Sequence, residues 1–137
     1  MQTKLLTMSG SLYDKPAKEI QLRTPEGDMA ILPNHEPFLA IVEPGPLTII
    51  NEDNSDELYS VFGGLVSVNE NNEVKIMVDE ADHHDNLIVE EIEEAIELAK
   101  ELKEAAKDRQ SLYQAQKLID RHTVRLNVAK IRRRTKR

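Results

Sequence analysis

Cysteine and tryptophan are absent from the 137 residues, and the only aromatics are Phe38, Phe62, Tyr13, Tyr59 and Tyr113. Without thiols there is no disulfide framework, thiolate nucleophile, haem attachment or zinc ribbon. With so few rings, any core must be aliphatic, and a hydrophobic fraction of 39% suffices for one of modest size. Long apolar runs are also lacking. Phe38–Val42 and Leu47–Ile50 are strand-sized, far short of the roughly 18 residues that span a bilayer. Residues 1–14 lack the apolar centre of a secretory signal. The expectation is a chain that is cytoplasmic or bound to something that is, with any contact with a membrane made through a partner.

The familiar catalytic patterns are missing as well: no GxSxG, Walker loop, dinucleotide fingerprint or HExxH occurs. His83 and His84 lie between Asp82 and Asp85, but neighbouring loop residues seldom converge on one ion. A solvated junction explains them better than a metal site. Carboxylates are plentiful yet scattered over expected hairpin tips. No catalytic residue, nucleotide site, metal site or cofactor is therefore expected of this chain.

The charge is unevenly distributed. Residues 1–86 carry 5 basic and 16 acidic residues, net −11, whereas 110–137 carry 9 basic residues against Asp120 alone, net +8. An acidic body with a basic end points to two parts with different partners. The basic end could attract nucleic acid, but the acidic body repels phosphate and stacking aromatics are missing apart from Tyr113. A protein partner with an acidic surface is the better reading.

Glycine and proline stop at Gly64, so the turn-formers all lie in the first half. There, Ala17–Leu22, Met29–Leu32, Phe38–Val42, Leu47–Ile50, Leu58–Phe62, Leu65–Val68 and Val74–Val78 are short β-branched or alternating segments. They recur at roughly 8–12 residue spacing, as in a sandwich or barrel. Asn51–Asp56 and Glu70–Glu73 read as polar hairpin tips. Gly63-Gly64, between strand-like runs, marks a bulge or a close backbone approach. From about Leu87 the period changes: Val89, Ile92, Ile96, Ala99 and Leu102 or Ala106 form one helical stripe. Leu112, Ala115, Ile119, His122, Leu126 and Ala129 form another. Two helices of about five turns each are expected, the first capped by Asp85 or Asn86 and the second by Asp108 or Ser111. The fold class is α+β: an N-terminal antiparallel β-sandwich or barrel (1–85), then a C-terminal two-helix antiparallel hairpin (86–137). The join, Lys107–Ser111, has no Gly or Pro, so a permanent hairpin and a partner-driven switch to an extended form both remain open.

The run Thr24-Pro25-Glu26-Gly27-Asp28-Met29-Ala30-Ile31-Leu32-Pro33-Asn34-His35-Glu36-Pro37-Phe38-Leu39 resembles the signature of the epsilon subunit of F-type ATP synthases. The Pro-Gly turn at Pro44-Gly45, the pair Gly63-Gly64 before Leu65-Val66, and Asp79-Glu80-Ala81 after a strand follow in the family's order. Ala30 and Asn34 stand where the family usually has glycine; Asn34 still tolerates a left-handed backbone. The resemblance implies a non-catalytic central-stalk subunit that couples c-ring rotation to ATP synthesis. It places contacts with the gamma subunit and c-ring on Glu26, Gly27, Asp28, Asn34, His35 and Glu36, where a buried or rim charge such as Asp28 or His35 would fix register more than add affinity. For His35, satisfaction of nearby backbone is an equal alternative. The resemblance also makes the C-terminal helices an inhibitory element, with Arg121, Arg125, Arg132, Arg133 and Arg134 meeting the catalytic alpha and beta subunits. The family's ATP-binding motif is not matched: Ile88, Glu91 and Ile92 replace its aspartate, arginine and alanine. A different-class alternative is a freestanding acidic β-sandwich adaptor with a basic helical tail.

Overall fold

Val74, Ile76 and Val78 are all buried, as a strand of period two with one inward face requires. They belong to the last of seven strands in a computed structural model that describes residues 1–135, with side chains for residues 1–131. The strands are β1 (Gln2–Thr7), β2 (Gly10–Thr24), β3 (Gly27–Ile31), β4 (Phe38–Val42), β5 (Gly45–Asn51), β6 (Asp56–Val68) and β7 (Glu73–His83). Two helices follow, α1 (Val89–Ala105) and α2 (Arg109–Thr135). The chain divides into two compact units, Met1–His83 and His84–Arg137.

The strands run in the order β1-β7-β6-β5-β2-β3, β4 adds to β6, and β1 also bonds β2, which closes a circuit. Pairings are antiparallel except β1 with β7, which is parallel. The core inside is aliphatic, with Leu5, Ile20, Ile31, Leu47, Ile49, Val66 and Ile76 sealed from solvent. Tyr13 and Tyr59 are the large rings among them.

Several expectations change. Leu58–Phe62 and Leu65–Val68 are one strand, β6, because the register with β7 is the same on both sides of Gly63. The glycine pair marks a close approach rather than a shift of register: a Cβ on Gly64 would lie 2.7 Å from Val78 Cα and inside the Met77 carbonyl. β1 and the first half of β2 were not anticipated. Their inward positions include Thr3 among the apolar ones, and Pro16 sits within β2 opposite Gln2, so the alternation is blurred and the proline reads as a breaker.

In the second unit, Val89, Ile92 and Ala129 are buried together, with Leu87, Ile96 and Leu126 packed around them. The start of α1 thus meets the far part of α2, which makes the pair an antiparallel hairpin. Asp85 and Asn86 do not cap α1. The Leu87 N–H bonds the His84 carbonyl and closes a short 3-10 turn over residues 84–86; the chain then extends at Ile88, which occupies the cap position without a side-chain bond. α2 has 27 residues, longer than about five turns, since nothing in its sequence breaks a helix. Leu102 and Leu112 are 58% and 45% exposed rather than packed, while Val128, off the anticipated stripe, is sealed.

Asp108 does cap α2: its Oδ1 accepts the Ser111 N–H at 2.7 Å, and this bond holds its carboxyl below the ordinary value of 3.8. A depressed carboxylate stabilises its helix above that ordinary value and loses the contribution as pH falls through its lowered one. Asp108→Ala is therefore expected to speed amide exchange at Ser111 and Leu112 near neutral pH, and the difference from the parent should shrink in acid. Equal exchange in parent and variant at neutral pH would refute the cap.

Candidate functional site

The residues singled out by the signature sit at the two ends of β3, an edge strand bonded only to β2. At one end, the β2–β3 turn is built by Thr24, whose Oγ1 donates to the Gly27 carbonyl at 2.9 Å and accepts the Glu26 N–H at 3.2 Å. Gly27 has φ of 120°, a backbone state that side chains disfavour. Glu26 and Gly27 are exposed at the tip. Asp28 is exposed too and meets Arg23 at 3.1 Å, so its charge is not buried in this chain.

At the other end, Leu32–Pro37 turns the chain into β4. The His35 N–H bonds the Leu32 carbonyl at 3.2 Å, and Asn34 has φ of 69°, the left-handed state its side chain tolerates. Ala30 lies within β3 in ordinary extended backbone. His35 is half-buried, tilted against Phe38 with ring centroids 4.9 Å apart. Its Nδ1 lies 2.9 Å from the Glu36 carbonyl, a contact that requires the proton on Nδ1. Glu36 is exposed.

Between these ends lies a surface that sequence reasoning missed. Leu39 and Ile41 point outward from β4, 67% and 55% exposed, with Leu65 and Met77 beside them at 39% and 44%. Pairing aligns them: Ile41 lies opposite Leu65, Leu65 opposite Met77, and Met77 opposite Leu6. A row of apolar side chains thus crosses four strands on the outer face. An open cleft of about 590 Å³ adjoins it, lined by Pro25, Glu26, Met29, Phe38, Leu39 and Ile41 among others. The available signal was phase: Met77 and Leu65 are apolar at positions out of step with their buried neighbours. Contiguous exposed apolar surface of this kind is characteristic of a contact site.

Among the described residues, the two most strongly shifted ionisable groups are buried tyrosines. Tyr13 donates to Asn51 Oδ1 at 2.5 Å; burial, then the carboxylates Glu57, Glu52 and Asp53, push it up to about 12. Tyr59 is raised for the same first reason, with Glu57 next. Both are held neutral, the opposite of an activated nucleophile. Among the described residues no group of three or more His, Asp or Glu side chains is placed to hold a metal. Nor is any helix there long and apolar enough to cross a membrane.

On α2, Arg121 and Arg125 lie one turn apart and half-buried. Arg125 Nη1 is 3.3 Å from His122 Nδ1, and none of the three is free of polar partners. The side chains of Arg132, Arg133 and Arg134 lie outside the described residues.

Comparison with known proteins gives this architecture its relatives. Residues 1–84 match the family model for the β-sandwich domain of the ATP synthase delta/epsilon chain. An ATP synthase epsilon chain of Synechococcus elongatus is 32% identical over 131 residues, covering 94% of both chains. A chain in the mitochondrial ATP synthase of Euglena gracilis, solved with its c-ring, superposes with a TM-score of 0.75 at 23% identity, over 98% of this chain and 80% of that one. Another, in the central stalk and c-ring of the Tetrahymena thermophila enzyme, gives 0.63 at 18% identity, over 94% and 96%. At these identities the two structures speak for the fold alone.

Proposed function

This chain belongs to the ATP synthase delta/epsilon family, and on that premise we propose that it is a non-catalytic rotor subunit that couples c-ring rotation to ATP synthesis. The observation that carries the reading is the outward apolar row, Leu39, Ile41, Leu65 and Met77, flanked by the two loops at the ends of β3. The row buries against the gamma subunit, and the polar loops Glu26–Asp28 and Asn34–Glu36 meet the ring. Such a division suits a torque-bearing joint: apolar area supplies adhesion, while rim charges set register and exclude wrong partners. The Tetrahymena thermophila neighbour of like fold was solved in a central stalk with its c-ring, which supports the reading. The chain does no chemistry itself, in keeping with neutral tyrosines and scattered carboxylates.

The helical hairpin supplies regulation. In the packed form seen here it leaves rotation free; raised along gamma, α2 would bring its basic residues against acidic segments of the catalytic subunits and obstruct turnover. The coupling role is tested by adding the chain back to an ATP synthase stripped of it. Ile41 is exposed, so Ile41→Asp is expected to fold normally and to bind the stripped complex at least about tenfold more weakly, with proton pumping lost in proportion. Parental binding by that variant would remove the apolar row from the interface. Failure of the chain to bind at all would return the reading to a freestanding adaptor.

A further inference from the structure

We infer that Asn72, at the tip of the β6–β7 hairpin, is a positioning residue that holds the Asn34–Glu36 loop in its docking form. The inference rests on the functional reading above and extends the proposed ring-facing surface to a hairpin that the signature does not include. Asn34 and Asn72 are 38 residues apart, yet the Asn34 N–H donates to the Asn72 side-chain oxygen at 2.8 Å. Both residues hold left-handed backbone, with φ of 69° and 62°.

Two features separate this bond from ordinary turn chemistry. First, the hairpin tip does not need the Asn72 side chain. Asn69 Oδ1 accepts the N–H groups of Asn71 and Glu73 at 2.9 and 3.0 Å, and the Asn69 N–H bonds the Glu73 carbonyl at 3.0 Å. Asn72 is thereby left to act across to the other loop. Second, the loop it reaches has little else to fix it. Its internal backbone bond is His35 to Leu32; the His35 ring bonds the adjacent Glu36 carbonyl and packs against Phe38, contacts local to the loop. A side-chain acceptor on the Asn34 N–H favours the backbone arrangement that points this N–H at Asn72. A loop held in advance binds with less ordering cost than one that must be fixed on contact.

The test uses the full chain and a stripped ATP synthase that retains its gamma subunit and c-ring. Asn72→Gly keeps the left-handed backbone at no steric cost but removes the acceptor; Asn72→Asp keeps both. For the glycine variant, amide exchange at Asn34 is expected to rise about fivefold and binding to weaken about fivefold, the range of one exposed hydrogen bond. Its melting curve should match the parent. Asn72→Asp should restore both values when compared at about 0.5 M salt, where its added charge is screened. Parental binding by Asn72→Gly despite faster exchange would make Asn72 a structural detail only, and unchanged exchange at Asn34 would refute the bond itself. If the unaltered chain fails to bind, the functional reading and this inference fall together; if it binds and both variants match it, this inference alone falls.

Discussion

Gly64→Ala is expected to destabilise the sheet unit by about 3 kcal/mol or more, the upper end of overpacking in a well-filled interior. The reason is that the clash is with backbone. An added Cβ would meet the Met77 carbonyl and stand 2.7 Å from Val78 Cα, so no rotamer change relieves it; β7 itself has to move. Gly64 is also paired on its other side with Val42 of β4, which leaves β6 no room to retreat. For a unit of this size such a loss lowers the melting temperature by roughly 12–24 °C. Gly63→Ala is the control. Gly63 has φ of 44° and open space where a Cβ would stand, so its cost is the left-handed backbone alone, about 1–2 kcal/mol. Thermal unfolding followed by circular dichroism separates the two, and equal melting temperatures would refute the close-approach account. Because β4 carries Leu39 and Ile41, Gly64→Ala should also weaken docking, whereas Gly63→Ala should leave it nearly intact.

What could be read from the sequence depended on how local the determining physics was. The alternation in β7 and the stripe that buries Val89, Ile92 and Ala99 are set within a few residues, and both were legible. Asn34 was legible for the same reason: the signature asked for a left-handed residue, and φ of 69° answers it. β1 was not: it pairs with β2 across a tight turn, but buried Thr3 blurs its apolar alternation, and its other partner, β7, lies some 70 residues away, with Gln2 opposite Glu73. The single course of β6 through Gly63 and Gly64 was misread because glycines punctuate in sequence but, here, admit a neighbouring backbone in space. The site shows the same division. The loops at both ends of β3 carry recognisable residues, whereas the apolar row between them exists only once Ile41, Leu65 and Met77 are brought opposite one another. The bond from Asn34 to Asn72 is equally invisible before the hairpin is placed.

Removal of residues 110–137 is expected to raise ATP hydrolysis by the assembled enzyme about fivefold or more, within the range of ordinary coupling free energies. The hairpin is held by an apolar contact of modest size: Val89, Ile92 and Ala129 are buried together with Leu87, Ile96 and Leu126 partly so, and Ala99, Ala115 and Val128 are the other buried helix residues among those described. Charge adds little to it: α2 is strongly basic and residues 87–109 carry net −4, but exposed pairs of this kind contribute about 0–1 kcal/mol each and weaken with salt. A partner can therefore shift the hairpin toward an extended form by binding that form a few kcal/mol more tightly. The proposed partner is an acidic surface of the catalytic subunits, whose charge would complement α2. Truncation also uncovers Val89 and Ile92, so a milder variant is needed beside it. Lys117 and Lys130 are exposed on α2, and the pair Lys117→Glu and Lys130→Glu should relieve part of the inhibition while leaving the hairpin folded. The parent's inhibition should itself fade as salt rises, and, because Ile88, Glu91 and Ile92 do not match the nucleotide motif, added ATP should not change it. Unchanged hydrolysis after truncation across a range of salt would sink the brake. A lower yield of coupled complex without any rise in hydrolysis would instead make the helices an assembly element.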